Sequence, residues 1–216
     1  MSPIDDRPTR RELMVAGAGA AAAATLLDAA AAQAARTHKN ASHDHVQALK
    51  SGQAHFDARR IERLLRVELL LLFSYQHVLG SSLLGPEKRQ ALEPLQAHEQ
   101  AHIRALTARL TVLGGSPPAP PASAQAANRD LAHRKVKERL GQLTGTHDAL
   151  QLLVAVERVV VGAYFVALIK LSDPSLVLLV AQMMASDAQH EALIGELMYP
   201  GNAQKAVPFG LVQGVQ

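Results

Sequence analysis

The chain has no cysteine and no tryptophan, and aromatic residues make up only 3% of its 216 residues. The lack of cysteine excludes disulfides, zinc sites with thiolate ligands, cysteine nucleophiles and lipid attachment at an N-terminal cysteine. The formal net charge is +3, but the basic residues are scattered and no basic run is interleaved with aromatics. Nucleic acid is therefore not an expected partner.

Hydrophobic residues make up 48% of the chain, which is enough for a sizeable core. Alanine, leucine and valine dominate them, which favours helices packed on helices over a β-sandwich. Glycine and proline separate stretches whose apolar residues recur at helical spacing. We predict four long helices over Phe56–Leu79, Pro86–Leu113, His147–Leu171 and Pro174–Met198, with Asp173 as the cap of the last one.

The connection between the second and third long helices is much longer than the others. It opens with the proline-rich stretch 116–121, which excludes helix, and we predict a short polar helix over Asn128–Leu140. Pro94 lies inside the second helix, where we expect a kink or a restart. Four long helices with this one long connection predict an all-α four-helix bundle with one crossover between helices 2 and 3.

Residues 1–35 have the three parts of an export signal. Arg10 and Arg11 form a charged start, residues 15–27 form a short apolar run, and residues 29–35 supply small side chains for cleavage. The paired arginines resemble a twin-arginine signal, which implies export of the folded protein to the periplasm or cell envelope. The alternative interpretation is an alanine-rich tail that is not an export signal.

The remaining chain divides into a polar linker (36–55), the bundle (56–200) and a C-terminal tail (201–216). The linker contains His38, His43 and His45 among other polar residues, and we interpret it as solvated rather than metal-binding. The third long helix is apolar enough to span a bilayer by length. Glu157 and Arg158 lie at its middle, where charge is costly in lipid, so we expect no stable membrane span in the mature protein.

A repeat places ionisable residues on the apolar helix faces. In each half of the bundle a glutamate is followed seven residues later by a tyrosine, and the next helix carries a carboxylate and a histidine three residues apart. That last spacing puts both side chains on one face of a helix. The first half supplies Glu68, Tyr75, Glu99 and His102, and the second supplies Glu157, Tyr164, Asp187 and His190. Glu68 and His102 are 34 residues apart, and Glu157 and His190 are 33 apart.

Four carboxylates buried together repel one another and become protonated unless cations lie between them. Two divalent ions would offset this charge, and carboxylate oxygen with imidazole nitrogen suits iron or manganese. We therefore predict a site for two ions per chain with the metal ligands Glu68, Glu99, His102, Glu157, Asp187 and His190. We expect Glu68, Glu157 or both to bridge the ions, and each histidine to bind one ion.

Simpler interpretations exist for single residues of this set. One Glu-x-x-His pair is common in helices by chance, and a glutamate on an apolar face is often neutralised by an arginine. Arg66 or Arg158 is placed to do this. The complete set in two matching halves is much harder to obtain by chance, and it favours metal binding.

Several neighbouring residues receive lesser roles. We interpret Tyr75 and Tyr164 as hydrogen-bond donors behind the ligands or as plain core residues, rather than as redox groups. His77 and His98 lie near the ligand faces but outside the repeat, so they are expected at the surface or behind the ligands. Glu191 points about a quarter turn away from His190 and is a weak substitute ligand.

The eight residues of the repeat, spread over 56–198, resemble the ferritin-like superfamily, and more narrowly the small exported ferritin-like domain proteins of bacteria. The resemblance implies a ferritin-like four-helix bundle with a di-iron or dimanganese carboxylate centre. It also implies oxygen- or peroxide-dependent chemistry, such as Fe(II) oxidation by a ferroxidase- or peroxidase-like oxidoreductase in the cell envelope.

One residue departs from the pattern of this superfamily. Asp187 stands where a glutamate is usual, and its reach is shorter by roughly 1–1.5 Å. The shorter side chain puts the metal affinity and the bridging of the site in question. The alternative function is a ferritin-like bundle whose site is empty or structural and which serves in binding or stress protection.

Overall fold

The computed structural model describes residues 52–207, and all regular structure within this range is helical. The all-α prediction is therefore confirmed. The predicted signal segment, most of the linker and residues 208–216 of the tail lie outside the described residues. The helices are α1 (Gln53–Gly80), α2 (Pro86–Val112), α3 (Ala124–His133), α4 (Thr146–Leu168), α5 (Pro174–Met198) and α6 (Ala203–Ala206).

The four long helices pack as two hairpins joined by a crossover. α1 packs against α2 and α4, while α5 packs against α4 and, less extensively, α2. The crossover between α2 and α4 contains the short helix α3. The apolar faces of all four long helices meet in one core, as the spacing of their leucines and valines predicts.

Local sequence sets the helix ends. Pro86 occupies the first turn of α2, where the absence of an N–H has no cost, and Pro174 does the same in α5. The Asp173 side chain caps α5 by accepting a hydrogen bond from the Ser175 N–H at 2.7 Å, as predicted. Gly114, with φ of +77°, ends α2 in a left-handed conformation that suits glycine.

Some predicted boundaries differ from the observed ones. α1 begins at Gln53, so the last residues of the expected linker are helical. α2 is continuous through Pro94, so the helix does not restart there. The short helix is Ala124–His133 rather than Asn128–Leu140, because Ser123 caps its start and the chain turns at Lys135. The Asn128 side chain then bonds the backbone of Leu140, which lies in the loop beyond.

Helix α4 is long and apolar enough to cross a membrane by length and composition. In the bundle, 61% of its most hydrophobic stretch is buried. Its buried side chains contact the neighbouring helices, and Glu157 at its middle faces the interior. Packing within the bundle therefore accounts for the hydrophobicity of this helix.

The first part of the C-terminal tail lies against the bundle. Ala206 of α6 is buried, and a Cβ on Gly195 of α5 would lie 2.1 Å from its carbonyl oxygen. This contact requires glycine at position 195, since no larger residue fits without moving the tail. The first part of the tail therefore packs against α5 at Ala206.

Candidate metal centre

The six predicted ligands come from all four long helices and meet inside the bundle. Glu68 lies on α1, Glu99 and His102 on α2, Glu157 on α4, and Asp187 and His190 on α5. The four carboxylate residues are 0% exposed and the two histidines are 4% exposed. Each lies on the apolar face of its helix, because the same periodicity that buries the leucines also buries these residues.

The ligand atoms form two groups that share two residues. Glu68, Glu99, His102 and Asp187 form one group, and Glu99, Glu157, Asp187 and His190 form the other. Within each group, one ligand atom from every residue lies within 4.8 Å of the others. Glu99 and Asp187 thus belong to both groups, whereas the sequence suggested Glu68 or Glu157 for this shared position. The difference arises because the residues of the two carboxylate-x-x-His motifs face each other across α2 and α5.

The shorter Asp187 side chain still reaches both groups. Its Oδ1 lies 3.3 Å from Nδ1 of His102 and 3.8 Å from Nδ1 of His190. Glu99 contacts the same two nitrogens, at 3.3 Å and 2.8 Å. Both histidines therefore turn Nδ1 toward the carboxylates, and Asp187 lies as close to His102 as Glu99 does but farther from His190.

The cluster leaves many of its buried atoms without a hydrogen bond. Within residues 52–207, nine side-chain oxygen and nitrogen atoms of the six residues have no hydrogen-bond partner, even where an oxygen lies close to an imidazole nitrogen. Buried polar atoms without partners are rare because each one costs free energy. Asp57, another buried carboxylate, accepts hydrogen bonds from the backbone N–H groups of Ser172 and Asp173 and pairs with Arg60. The six residues thus fit a pair of metal ions, because they converge on one another without satisfying their polar atoms.

The tyrosines of the repeat cross from one half of the bundle to the other. Tyr75 on α1 donates a hydrogen bond to Oε1 of Glu157 on α4 at 2.6 Å. Tyr164 on α4 donates in return to Oε1 of Glu68 on α1. Each tyrosine is 0% exposed, and the second carboxylate oxygen of its partner has no hydrogen bond within residues 52–207. The tyrosines are therefore hydrogen-bond donors that orient Glu68 and Glu157.

The outer nitrogens of the two histidines differ in their surroundings. Nε2 of His190 lies 3.0 Å from Nδ1 of His98 and 3.4 Å from Oγ of Ser186. The His98 and His190 rings are stacked, with centroids 5.3 Å apart. Nε2 of His102 makes no hydrogen bond within residues 52–207. Sequence reasoning placed His98 at the surface or behind the ligands, and the structure places it behind His190.

The arginines proposed for simple charge pairing are engaged elsewhere. Arg158 binds Glu191 at 2.5 Å and Arg66 binds Glu62 at 2.6 Å. Both arginine side chains are more than half exposed. Arginine therefore does not neutralise Glu68 or Glu157, and Glu191 is occupied by Arg158 rather than by the cluster.

Burial and mutual repulsion separate the four carboxylates into two kinds. Burial, followed by the charge of Glu99, raises the pKa of Glu157 to about 8 and that of Asp187 to about 6. Burial and the charges of Glu99 and Asp187 raise the pKa of Glu68 well above its usual value. At Glu99 the effect of burial is outweighed by contacts with His102 and His190, which lower its pKa. Near pH 7 the shared carboxylates are therefore ionised and Glu157 holds a proton, while Glu68 takes up a proton more readily than an ordinary glutamate.

The two histidines hold protons as well. Burial alone would lower the pKa of His190, but Glu157 and Glu99 outweigh it and raise that pKa to about 10. The pKa of His102 is raised in the same way, against its burial, by Asp187, Glu68 and Glu99. In the metal-free cluster near pH 7, the ionised Glu99 and Asp187 thus face two imidazolium groups. Metal ions entering it would have to displace protons from Glu157 and both histidines.

Comparison with known proteins adds one finding. A family model described as a ferritin-like domain matches residues 13–200. No curated protein and no solved structure matches the chain. The matched range includes all four long helices and all six residues of the cluster.

Proposed function

This chain belongs to the ferritin-like domain family, and we propose that it is a di-metal carboxylate protein with oxygen- or peroxide-dependent redox activity. The observation that carries the proposal is the pair of overlapping buried groups that share Glu99 and Asp187. Two groups that share two carboxylates suit two ions side by side. Glu68 and His102 would complete the first position, and Glu157 and His190 the second.

Two bound iron ions, or manganese ions, would supply one-electron chemistry toward dioxygen or peroxide. The protein contributes position and exclusion of water. Tyr75 and Tyr164 each hold one oxygen of Glu157 and Glu68, respectively, and leave the second oxygen without a hydrogen bond within residues 52–207. Leucine, valine and methionine side chains of the surrounding core keep bulk water from the ligands. These contacts fix the ligand positions before any ion is bound, as an open di-metal site requires.

Fe(II) oxidation is the form of this activity that we propose. Two Fe(II) ions would give up one electron each, and one dioxygen molecule would take up both electrons and two protons and leave as hydrogen peroxide. The protons displaced when the ions bind would leave the cluster, so the two protons of the peroxide would come from the solvent.

Metal analysis combined with oxygen consumption tests this proposal. The purified chain should bind two Fe(II) per molecule under anaerobic conditions and consume oxygen when air is admitted. A variant with Glu99→Ala and His102→Ala should lose both properties while keeping its helical circular dichroism. No bound metal after anaerobic loading of the folded chain would contradict the proposal. That result would favour a bundle that serves in binding or stress protection.

We also propose that the protein acts outside the cytoplasm. The support is the order of charged, apolar and small residues in the first 35 positions, with Arg10 and Arg11 before the apolar run. A variant with Arg10→Lys and Arg11→Lys should remain in the cytoplasm, because the twin-arginine signal depends on both residues. Export of this variant at the level of the unchanged chain would contradict the proposal.

A further inference from the structure

A basic groove lies on the surface away from the metal centre. Its walls are α1, α4 and the end of α3, and its volume is ≈ 580 Å³. Among the described residues that line it, seven are arginine or lysine and none is aspartate or glutamate. These cations come from three separate segments of the chain, so the charge pattern of the sequence did not reveal the groove.

Ion pairs within the described part of the chain account for only three of the seven cations. Arg60, Arg66 and Arg158 pair with Asp57, Glu62 and Glu191, respectively. Within residues 52–207, no carboxylate forms an ion pair with the other four cations, Arg63, Arg134, Lys135 and Lys170. The groove therefore carries an excess of positive charge.

Lys135 has an unusual backbone conformation at the rim of this groove. Its φ is +62°, and three other residues in the described chain with left-handed φ, Gly114, Gly141 and Gly201, are glycines. Lys135 takes the position after a helix end where glycine is favoured, since its N–H bonds the Ala132 carbonyl and the next N–H bonds Leu131. A lysine side chain is thus kept at the groove in spite of a backbone cost.

Helix ends account for only part of this charge. A cation near a helix C-terminus is stabilised by the helix dipole. This effect is sufficient to explain Lys135 after α3 and Lys170 after α4. Arg63 lies inside α1, away from its end. Helix ends also do not explain why the described lining has no carboxylate. An anionic ligand explains both observations.

The floor of the groove is apolar. Val67 of α1 and Val159, Ala163 and Val166 of α4 line it between the cations. Val166 is 44% exposed, so an apolar surface remains open to solvent there. Arginine is the more frequent cation in the lining, and its planar fork matches phosphate or carboxylate groups.

We propose that this groove binds an amphiphilic anion, with its phosphate or carboxylate group against Arg63, Lys135 and Lys170 and its apolar body on the valine-lined floor. The volume suits a ligand of small-molecule size. This site is separate from the proposed metal centre and does not depend on it.

Titration calorimetry on the full chain at low salt tests the proposal with octyl phosphate as the probe. We expect one octyl phosphate per chain, bound at least tenfold more tightly than inorganic phosphate and than the neutral octyl glucoside. Equal binding of inorganic phosphate would overturn the role of the apolar floor. Equal binding of octyl glucoside would overturn the role of the charges.

A double variant with Lys135→Gly and Lys170→Gln locates the binding. Both residues are exposed, and glycine favours the left-handed φ of position 135, so the melting temperature should not fall. The affinity for octyl phosphate should fall at least tenfold, whereas Arg104→Gln, at an exposed site on α2 outside the groove, should leave it unchanged. An unchanged affinity in the double variant would overturn the proposal.

Two further probes identify the source of the ligand. Binding to phosphatidylglycerol vesicles but not to phosphatidylcholine vesicles, lost in the double variant, supports the proposal with a membrane lipid as the anion. Octyl phosphate binding without vesicle binding supports it with a soluble amphiphile. Binding of a 20-base-pair DNA duplex more tightly than octyl phosphate, with loss in the same variant, would assign the groove to nucleic acid and overturn the proposal.

Discussion

The candidate metal centre has two halves, one formed by α1 and α2 and the other by α4 and α5. The two halves supply matching residues to the centre, but the contacts behind those residues differ. Each half supplies one glutamate of its own, one shared carboxylate and one histidine. Behind the ligands, His190 contacts His98 and Ser186, while Nε2 of His102 has no hydrogen bond within residues 52–207. The repeat therefore determines which residues reach the centre, but the hydrogen bonds behind the two histidines are unequal.

His98 and Ser186 occupy equivalent places in the repeat, each one residue before the shared carboxylate of its half. Both contact the same histidine, His190, instead of one each. The half with the shorter carboxylate, Asp187, thus has the better-supported histidine. Two metal positions with equal ligands are expected to differ in affinity for this reason, because hydrogen bonds behind a ligand fix its orientation.

The largest expected effect is on metal content per chain. It distinguishes the carboxylates that belong to both groups from those that belong to one group. Glu99→Gln should abolish binding of both ions, because Glu99 belongs to both groups. Glu68→Gln should remove one ion and leave the other held by the second group. Metal content per chain after anaerobic loading measures this difference. Loss of both ions in Glu68→Gln with one ion retained in Glu99→Gln would contradict the assignment.

The next effect is the pH dependence of the metal-free protein. The folded-state pKa is about 8 for Glu157 and about 10 for His190, both above the usual values of 4.5 and 6.5. Groups with raised folded-state pKa stabilise the fold at low pH, and this stability is lost as pH rises through the raised values. The metal-free chain should therefore lose stability between pH 5 and 10. A pKa that differs by one between the folded and unfolded chain corresponds to about 1.4 kcal/mol, so the loss should be large enough to measure.

Thermal unfolding of the metal-free chain from pH 5 to pH 10 measures this loss. Glu157→Gln and Glu68→Gln should each flatten the curve, since each removes one raised carboxylate. Exposed Glu196→Gln serves as a control that leaves the curve unchanged. A melting temperature that rises with pH over this range would contradict the protonation states given for the cluster.

A smaller effect tests the unequal support of the two histidines. His98→Ala should weaken binding at the His190 position by about 10–100-fold, the usual effect of losing a partner behind a ligand. The His102 position should keep its affinity, so only one of the two binding steps should weaken. Gln100→Ala, an exposed change on the same helix, is the matched control. Equal weakening at both positions would show that His98 does not act through His190.

The smallest effect tests the equivalence of the two halves. Tyr75→Phe and Tyr164→Phe each remove one buried hydrogen bond to a carboxylate of the opposite half. Each change should cost about 1 kcal/mol of the free energy of unfolding in the metal-free chain. The two losses should agree closely. A loss confined to one tyrosine would show that the crossed contacts are not equivalent.

The sequence predicted the bundle and the convergence of the six residues, because both follow from periodicity. A helical face repeats every three or four residues, so Glu99 and His102 had to lie on the face that also carries Leu95 and Leu106. The equal spacing of the two halves then indicated that the faces meet. The outcome confirmed the helical bundle and brought all six residues together.

The sequence could not predict contacts that depend on how the helices are rotated against each other. The shared positions of Glu99 and Asp187 and the contact of His98 with His190 arise between α2 and α5, which are far apart in the chain. The basic groove is likewise assembled from three separate segments. The C-terminal end of α3 was missed because the turn at Lys135 uses a lysine where glycine is the usual signal.

Anomalous X-ray scattering from crystals loaded anaerobically with Fe(II) or Mn(II) tests the central claim most directly. The account predicts two peaks inside the bundle, both in contact with Glu99 and Asp187, one next to His102 and the other next to His190. Peaks bridged by Glu68 and Glu157 instead, or loaded crystals with no peak in the cluster, would contradict it.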